Sequence, residues 1–482
     1  MSSSRVVRVR PAEDGATPPV LRDGIAEIQR ELEVTAEFPP DVLAAAAEAA
    51  AHPRLPDLDR TDLPMVTVDP AGAKDLDQAL HIERDGDGYV LHYAIADVAA
   101  FVTPGDPVDL EAHRRGQTLY GAEDRVPLHP PLLSEGAASL LPDQVRPALL
   151  WTLHLDAEGA RTDVVVERAR VRSTAQLDYP GAQRAIDDGT APESLMLLKE
   201  LGELRLAREA ARGGVSLPLP EQEIDTTGPE WQLEFRSLLQ VEEWNAQMSL
   251  LTGFAAASLM VYARVGFLRT LPPPDPRDVQ RLHRTARALG LDWRAEVLFS
   301  DFIRTLDASM PTHAAMISAS TRMLRGSGYV AFDGEVPAQP LHSALNAEYA
   351  HVTAPLRRLG DRYASEVCVA LCEGVDVPDW VHAALPTLAK EMQQSSQKAN
   401  SYGRMVLDLV EAGLLQHRVG ESFDAVVTDV NEKEPTRGSV TVADPAVEAP
   451  VVAATEIPLG TDVRVRLTTA DLATRKVEFT LE

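Results

Sequence analysis

Three aspartates near residue 70 have the spacing of a cation site that could act on a phosphate ester. Asp69, Asp75 and Asp77 lie within nine residues, directly after an apolar segment. Asp75 and Asp77 alternate, so in an extended backbone both side chains point the same way. Clustered carboxylates repel one another unless a cation compensates, and Mg²⁺ prefers oxygen ligands. Such a site can activate water and stabilise a departing phosphodiester oxygen, although on spacing alone a solvated acidic turn is the better interpretation.

Short strands would position these aspartates. Apolar and β-branched segments predict strands at 65–68, 79–82, 89–95, 150–155 and 162–171. The Asp-Gly-Asp-Gly run at 85–88 predicts a hairpin turn between the second and third of them. The strand at 65–68 ends beside Asp69, so it would place that carboxylate at the edge of a sheet.

Two helices are predicted before the strands, at 23–33 and 40–51. They could form a helical hairpin or a helix-turn-helix, or act as a helical strap packed on the next domain. We assign residues 1–62 to this N-terminal helical region, which is too short for two cold-shock barrels.

The rest of the chain is predicted to be helical first and then β-stranded. Residues 190–310 are dominantly helical in pattern, and helices are predicted at 194–212, 238–265, 357–373 and 379–413. Short strands follow at 423–430, 438–442, 449–453, 462–467 and 476–481, which suits a small barrel of the oligonucleotide-binding type. The expected fold is α+β and multidomain, with a large domain at 63–417 and a barrel at 418–482.

Composition limits the class of protein. The formal net charge of −27 argues against a protein that coats nucleic acid without specificity, but not against an enzyme with a local basic channel. The polar N-terminus and the lack of a long apolar run predict no secretory signal and no membrane span, hence a cytoplasmic protein. The two cysteines, Cys368 and Cys372, are too few for a zinc site and are expected to be reduced core thiols.

Motifs around the aspartates resemble the catalytic domain of the ribonuclease II (RNB) family. They are TVDP at 67–70, KDLD at 74–77, IADV at 95–98, EAHRRGQTLY at 111–120, VEE at 241–243 and YAHVTAPLRRLGD at 349–361. The blocks occur in the family's order across about three hundred residues, which reverses the preference for a solvated turn. The C-terminal strands also look like the S1-type RNA-binding barrel that follows this domain in the family.

The resemblance implies roles for individual residues. Asp69, Asp75 and Asp77 match catalytic, metal-binding carboxylates, and Arg357 matches an arginine that contacts phosphate near the scissile bond. Tyr120 matches an aromatic residue that stacks on the terminal base. Two further matches are weaker: Tyr179 matches a tyrosine near the terminal nucleotides, and Glu242, which could equally brace a helix, matches an acid near the terminal ribose.

The chain departs from the family pattern in its N-terminal region, which has no room for the family's usual pair of cold-shock barrels, and at two further positions. Gln78 stands where the family usually has another aspartate; its amide oxygen can ligate a cation but brings no charge. We keep Gln78 in the predicted metal set and expect a raised Mg²⁺ requirement. Leu217 stands where the family often carries a second stacking aromatic residue, and would contact a base only through apolar atoms.

By this resemblance the chain is expected to be an exoribonuclease. It would shorten single-stranded RNA from the 3′ end to nucleoside 5′-monophosphates with Mg²⁺, or alternatively Mn²⁺. No obligate protein partner is evident. Two other functions remain open: an RNA-binding family member in which Gln78 has silenced catalysis, and a metal-dependent hydrolase of small phosphate esters.

Overall fold

The computed structural model describes residues 7–10, 19–121, 125–225 and 231–482. Its N-terminal region contains β1 (Val7–Arg10), α1 (Pro19–Glu31) and α2 (Pro40–Ala51). Both helices were predicted, whereas β1 was not. This strand pairs in parallel with residues 222–225, far along the chain, and so depends on a partner that local sequence does not reveal.

A closed barrel of five strands, here called the first barrel, positions the aspartates. The elements of this region are β2 (Met65–Asp69), β3 (Gln78–Asp85), β4 (Gly88–Ala96), α3 (Pro107–Arg115), β5 (Leu119–Tyr120), β6 (Arg125–Val126), β7 (Val145–Leu155) and β8 (Arg161–Asp178). The barrel order is β2-β3-β4-β7-β8, and β8 returns to pair with β2 in parallel. The end of β2, the start of β3 and the end of β8 therefore meet at one end of the barrel.

Helices and short hairpins follow the first barrel. They are α4 (Tyr179–Asp187), α5 (Glu193–Arg212), β9 (Glu221–Asp225), β10 (Gln232–Arg236), α6 (Gln240–Ala263), β11 (Val265–Thr270), α7 (Pro276–Ala288), α8 (Phe299–Ile303), α9 (Pro311–Ser320), β12 (Gly328–Asp333), β13 (Leu341–His342), β14 (Ala347–Glu348), α10 (Leu359–Glu373) and α11 (Asp379–Leu415). The helical prediction for 190–310 missed β9, β10 and β11. Strand β9 carries mostly polar side chains, so its pairing with β1 and β10 leaves little trace in the local pattern.

The C-terminal strands close into a second barrel, as predicted. They are β15 (Ser422–Val430), β16 (Arg437–Val442), β17 (Val447–Val452), β18 (Asp462–Asp471) and β19 (Lys476–Leu481), in the order β15-β16-β17-β19-β18. The parallel pair here joins β17 and β19. The interior is fully apolar at its centre, where Phe479, Val465 and Val440 are completely buried.

The two N-terminal helices pack against different parts of the fold. Leu21, Ile25 and Ile28 of α1 join the apolar cluster formed by α11 and the second barrel. Val42 and Ala46 of α2 instead join the cluster beneath the first barrel, beside α3. Each helix therefore packs on a separate part of the fold, and the helix-turn-helix and strap interpretations of residues 1–62 both stay predictions.

Helix α6 is a core helix, although by length and composition it is apolar enough to cross a bilayer. Half of its most apolar window is buried inside the fold. It packs against α5, α10 and β11. Buried core helices are commonly as long and as apolar as a membrane span.

Candidate active site at the end of the first barrel

The parallel pairing of β2 with β8 brings two predicted site residues together. Asp69, the last residue of β2, lies opposite Asp178 in this ladder. Asp178 caps α4 by accepting a hydrogen bond from the Gly181 amide at 2.6 Å. Tyr179, the first residue of α4, is consequently held next to the strand end that carries Asp69.

Asp69 is a partly buried carboxylate whose Oδ2 atom is enclosed and unused. Among the described residues, none donates a hydrogen bond to its Oδ2 atom. Burial raises the pKa of Asp69 to about 7, and the nearby charge of Asp75 acts in the same direction. A buried anionic oxygen without a donor is costly, so this position favours either a proton or a cation.

Asp77 faces the segment 353–357 that precedes α10. Its Oδ1 accepts a hydrogen bond from the Leu356 amide at 2.8 Å, and its Oδ2 lies 3.5 Å from Arg357 Nε. The side chain of Asp77 is only 6% exposed, and burial raises its pKa to about 8 even though Arg357 opposes the shift. The structure therefore brings together Asp77 and Arg357, two residues to which the family resemblance gives catalytic roles.

Asp75 is paired with an arginine that the sequence analysis missed. Arg125 Nη1 lies 2.7 Å from Asp75 Oδ1, and Arg125 Nη2 lies 2.7 Å from Glu135. Arg125 is on β6, directly opposite Tyr120 on β5, so one two-stranded ribbon carries both the predicted stacking residue and the partner of Asp75. Tyr120 is 44% exposed as a residue, while burial around its hydroxyl raises the pKa of that group.

Gln78 is held by hydrogen bonds at both ends of its amide. Its Nε2 donates to the Thr353 carbonyl at 2.7 Å. Its Oε1 accepts from the Ser249 hydroxyl at 3.2 Å and from the hydroxyl of Tyr93, which is completely buried. Tyr93, Ser249 and Thr353 were not singled out from the sequence, because each is distant along the chain and ordinary in type. The role of Gln78 in metal binding stays a prediction.

The last two predicted residues lie in other parts of the fold. Glu242, in the first turn of α6, is 6% exposed and forms an ion pair with Arg236 on β10. That contact ties α6 to the hairpin of β9 and β10. Leu217 is partly buried in the segment between α5 and β9. Contacts of Glu242 and Leu217 with RNA stay predictions.

The aspartates suit a hard divalent cation in chemical type, although they are not gathered into a finished site. In the described part of the chain, no three His, Cys, Asp or Glu side chains are grouped closely enough to hold a metal ion. Asp75 is instead paired with Arg125. The unused Oδ2 of Asp69 and the raised pKa values of Asp69 and Asp77 are, however, the features that a cation with oxygen ligands would relieve.

Comparisons with known proteins agree with this architecture. The RNB domain model matches residues 58–372, which is more than half of the chain. The model of the RNase II-type exonuclease C-terminal S1 domain matches residues 421–482, the whole second barrel.

Curated relatives match with moderate identity. Exosome complex exonuclease RRP44 homolog A of Arabidopsis thaliana is 28% identical over 396 residues, covering 78% of this chain and 42% of that protein. Ribonuclease R 1 of Lactococcus lactis is 23% identical over 433 residues, covering 84% of this chain and 52% of that protein. The chain thus spans about half the length of these two relatives.

Solved structures show the same fold. Mycoplasma genitalium RNase R in complex with ribose-methylated single-stranded RNA superimposes with a TM-score of 0.84 at 19% identity, covering 96% of this chain and 78% of that one. Yeast Ssd1, described as a pseudonuclease, superimposes with a TM-score of 0.71 at 15% identity, covering 90% of this chain and 56% of that one. With the family model spanning the first barrel and its helices, the chain belongs to the RNB domain family and carries the C-terminal S1 domain of RNase II-type exonucleases.

Proposed function

We propose that this chain is a 3′-to-5′ exoribonuclease that hydrolyses single-stranded RNA to nucleoside 5′-monophosphates with Mg²⁺, or alternatively Mn²⁺. One observation carries the proposal: two carboxylates lie at one end of the first barrel, Asp77 buried and Asp69 partly buried with its Oδ2 atom enclosed, and Arg357 lies against Asp77. The names of two relatives, an exosome complex exonuclease and a ribonuclease R, support it.

The site residues have two kinds of role: some would bind the charged phosphate, and others would contact the bases of the RNA. Arg357 is 42% exposed at its side chain, so its guanidinium can contact Asp77 and still offer donors to a phosphate. Tyr120, on the ribbon beside the aspartates, offers an exposed ring on which a terminal base can stack. Tyr179 follows Asp178, the ladder partner of Asp69, and would contact the neighbouring nucleotide.

Asp69, Asp75 and Asp77 are the residues that would hold the cation. When bound, it supplies activation of water and stabilisation of negative charge at the scissile phosphate. The protein's own part is to exclude bulk water around Asp69 and Asp77, which strengthens every charge interaction there. Asp75 must exchange its contact with Arg125 for the cation, and Arg125 can keep its contact with Glu135.

The second barrel is assigned to RNA capture and the first barrel to chemistry. None of the site residues named above lies in residues 418–482. We also keep the proposal of a cytoplasmic location, where single-stranded transcripts are available.

The test is the cleavage of 5′-labelled single-stranded RNA by the full chain, with Mg²⁺, with Mn²⁺ and with EDTA. Progressive shortening from the 3′ end, with release of nucleoside 5′-monophosphates, is expected with either ion and not with EDTA. Internal cuts would overturn the proposal, as would hydrolysis of a small phosphate ester with indifference to RNA.

A specific observation favours one second candidate, a catalytically silent RNA-binding protein. Gln78 replaces an expected carboxylate, and the fold is shared with the pseudonuclease Ssd1. In that case the chain binds labelled RNA but leaves it intact at every Mg²⁺ concentration. The same gel and a binding titration therefore decide between the two candidates.

A further inference from the structure

Asp77 and Gln78, adjacent at the start of β3, both form hydrogen bonds to one short segment, residues 353–357. Asp77 accepts a hydrogen bond from the Leu356 amide at 2.8 Å, and Gln78 donates to the Thr353 carbonyl at 2.7 Å. Both partners lie within the segment 353–357 that presents Arg357. The barrel thus fixes this segment at two points, four residues or fewer from the arginine.

The chemistry of the Thr353 carbonyl explains why an amide stands at position 78. A carbonyl oxygen can only accept, so its partner must donate, and a carboxylate cannot. The hydroxyls of Tyr93 and Ser249 satisfy the other end of the amide and fix its orientation. With two hydroxyls on its oxygen, Gln78 has no unused lone pair to offer a cation while this network is intact.

Arg357 depends on its backbone for position. Its side chain is 42% exposed and is therefore only partly held by packing. The backbone is held from the other side as well, because the Ala354 amide donates to Asp361 at 2.8 Å and the Arg357 carbonyl accepts from the Thr118 amide at 3.0 Å. Gln78 supplies the tie from the barrel at the N-terminal end of the segment.

We propose that Gln78 is a positioning residue that holds Thr353, and through it the segment bearing Arg357, against Asp77, leaving the cation to the three aspartates. This inference rests on the proposed function and deepens it. Gln78 then brings no negative charge to the cation, but its amide fixes the segment 353–357 through Thr353, and the protein can remain active.

Two substitutions separate this role from a ligand role. Gln78→Met keeps the length of the side chain and removes all its hydrogen bonds, while Gln78→Glu keeps the bonds from Tyr93 and Ser249 but cannot donate to Thr353 when ionised. Both variants should lower kcat at saturating Mg²⁺ by about tenfold, the scale of a misplaced catalytic group. The KM for RNA and the midpoint of Mg²⁺ binding, measured by calorimetry, should stay within about twofold for Gln78→Met. Tyr93→Phe is the matched control, since Ser249 still bonds the amide and the Thr353 tie remains.

A ligand role gives the opposite pattern. Gln78→Met would then raise the Mg²⁺ midpoint by about tenfold and recover full kcat at high Mg²⁺, and Gln78→Glu would tighten Mg²⁺ binding with kcat intact. Either result overturns the inference. If the methionine variant does not fold, the glutamate variant by itself distinguishes the positioning role from the ligand role.

Coupling to the arginine is tested by a double-mutant cycle. Adding Gln78→Met to Arg357→Ala should lower kcat by no more than about twofold further, because the tie acts through the missing side chain. If the two losses multiply, Gln78 does not act through Arg357.

Hydrogen exchange does not depend on catalysis, so it tests the positioning role of Gln78 separately from the proposed function. In metal-free buffer, Gln78→Met should speed hydrogen exchange of the peptide that covers 353–358 by about tenfold, and Tyr93→Phe should not. Unchanged exchange in Gln78→Met sinks the inference even in an active enzyme. An inactive wild-type protein with the expected exchange sinks only the proposed exoribonuclease activity.

Discussion

The first and second barrels are each closed from five strands, yet their acidic side chains lie in different surroundings. At the end of the first barrel, burial raises the pKa of Asp69 to about 7 and of Asp77 to about 8. On the second barrel, Asp471 and Glu482 are exposed, and hydrogen bonds from Thr474 and Ser422 lower their respective pKa values.

The difference comes from what covers the strand ends. The segment 353–357 closes over the first barrel and places Leu356 and Arg357 on Asp77. The acidic side chains of the second barrel remain solvated and pair with exposed groups, as Asp424 does with Arg464 at 2.8 Å. A barrel alone therefore does not create reactive carboxylates, and the cover that removes water does.

The largest expected effect is the loss of cleavage in Asp77→Asn. The asparagine can still accept from Leu356 but brings no charge to the cation, so the rate of RNA cleavage should fall by about 10³-fold or more. RNA affinity in EDTA should change by less than about twofold. Asp424→Asn on the second barrel is the matched control and should cleave normally, and equal losses in both variants would break the comparison.

Arg357→Ala should be the next most damaging change. A guanidinium that meets developing phosphate charge contributes about 10²-fold to kcat. The exposed Arg464 of the second barrel supplies the control, because Arg464→Ala should leave kcat at saturating RNA unchanged. Single-turnover cleavage of labelled RNA measures both, and a kcat loss under about threefold for Arg357→Ala would contradict the assignment.

The two barrels should respond to pH with opposite signs. The folded pKa of Asp77 is raised above its unfolded value, so in the absence of metal its contribution to stability is present in acid and is lost as pH rises toward about 8. The lowered pKa values of Asp471 and Glu482 give stability that is present above about pH 4 and is lost as pH falls.

Urea unfolding in EDTA measures this contrast. Asp77→Asn should be more stable than the wild-type protein, and the difference should grow by about 3 kcal/mol between about pH 5.5 and about pH 8. Asp471→Asn should show no growth over this range. A constant difference for Asp77→Asn would mean that its carboxylate titrates normally.

The smallest expected effect concerns the ribbon beside the first barrel. Tyr120→Ala should weaken binding of single-stranded RNA by about tenfold, because one base loses its stacking partner, while Tyr120→Phe should bind normally. Fluorescence titration in EDTA measures the RNA affinities of both Tyr120 variants. Equal binding by Tyr120→Ala and Tyr120→Phe would remove Tyr120 from the RNA site.

In the second barrel, Phe423 and Phe479 pack edge to face in the interior, so Phe479→Leu should lower stability and leave kcat unchanged.

Much of the fold was predictable because local sequence patterns determine many of its helices and strands. The second barrel and α2 were predicted from alternating or periodic apolar residues and turn residues, close to their observed bounds. The hairpin of β9 and β10 was missed because its strands are mainly polar. Strand β1 was missed because its partner lies more than two hundred residues away.

The sequence by itself determined the acidic motif, its order with the arginine block and the family to which the chain belongs. Only the tertiary structure decided the partners: Arg125 for Asp75, Leu356 for Asp77 and Thr353 for Gln78. The physical reason is that a motif fixes residue type and local direction, whereas hydrogen bonds and desolvation depend on segments that meet after the chain closes. Gln78 and Thr353 are 275 residues apart, and no local pattern encodes that meeting.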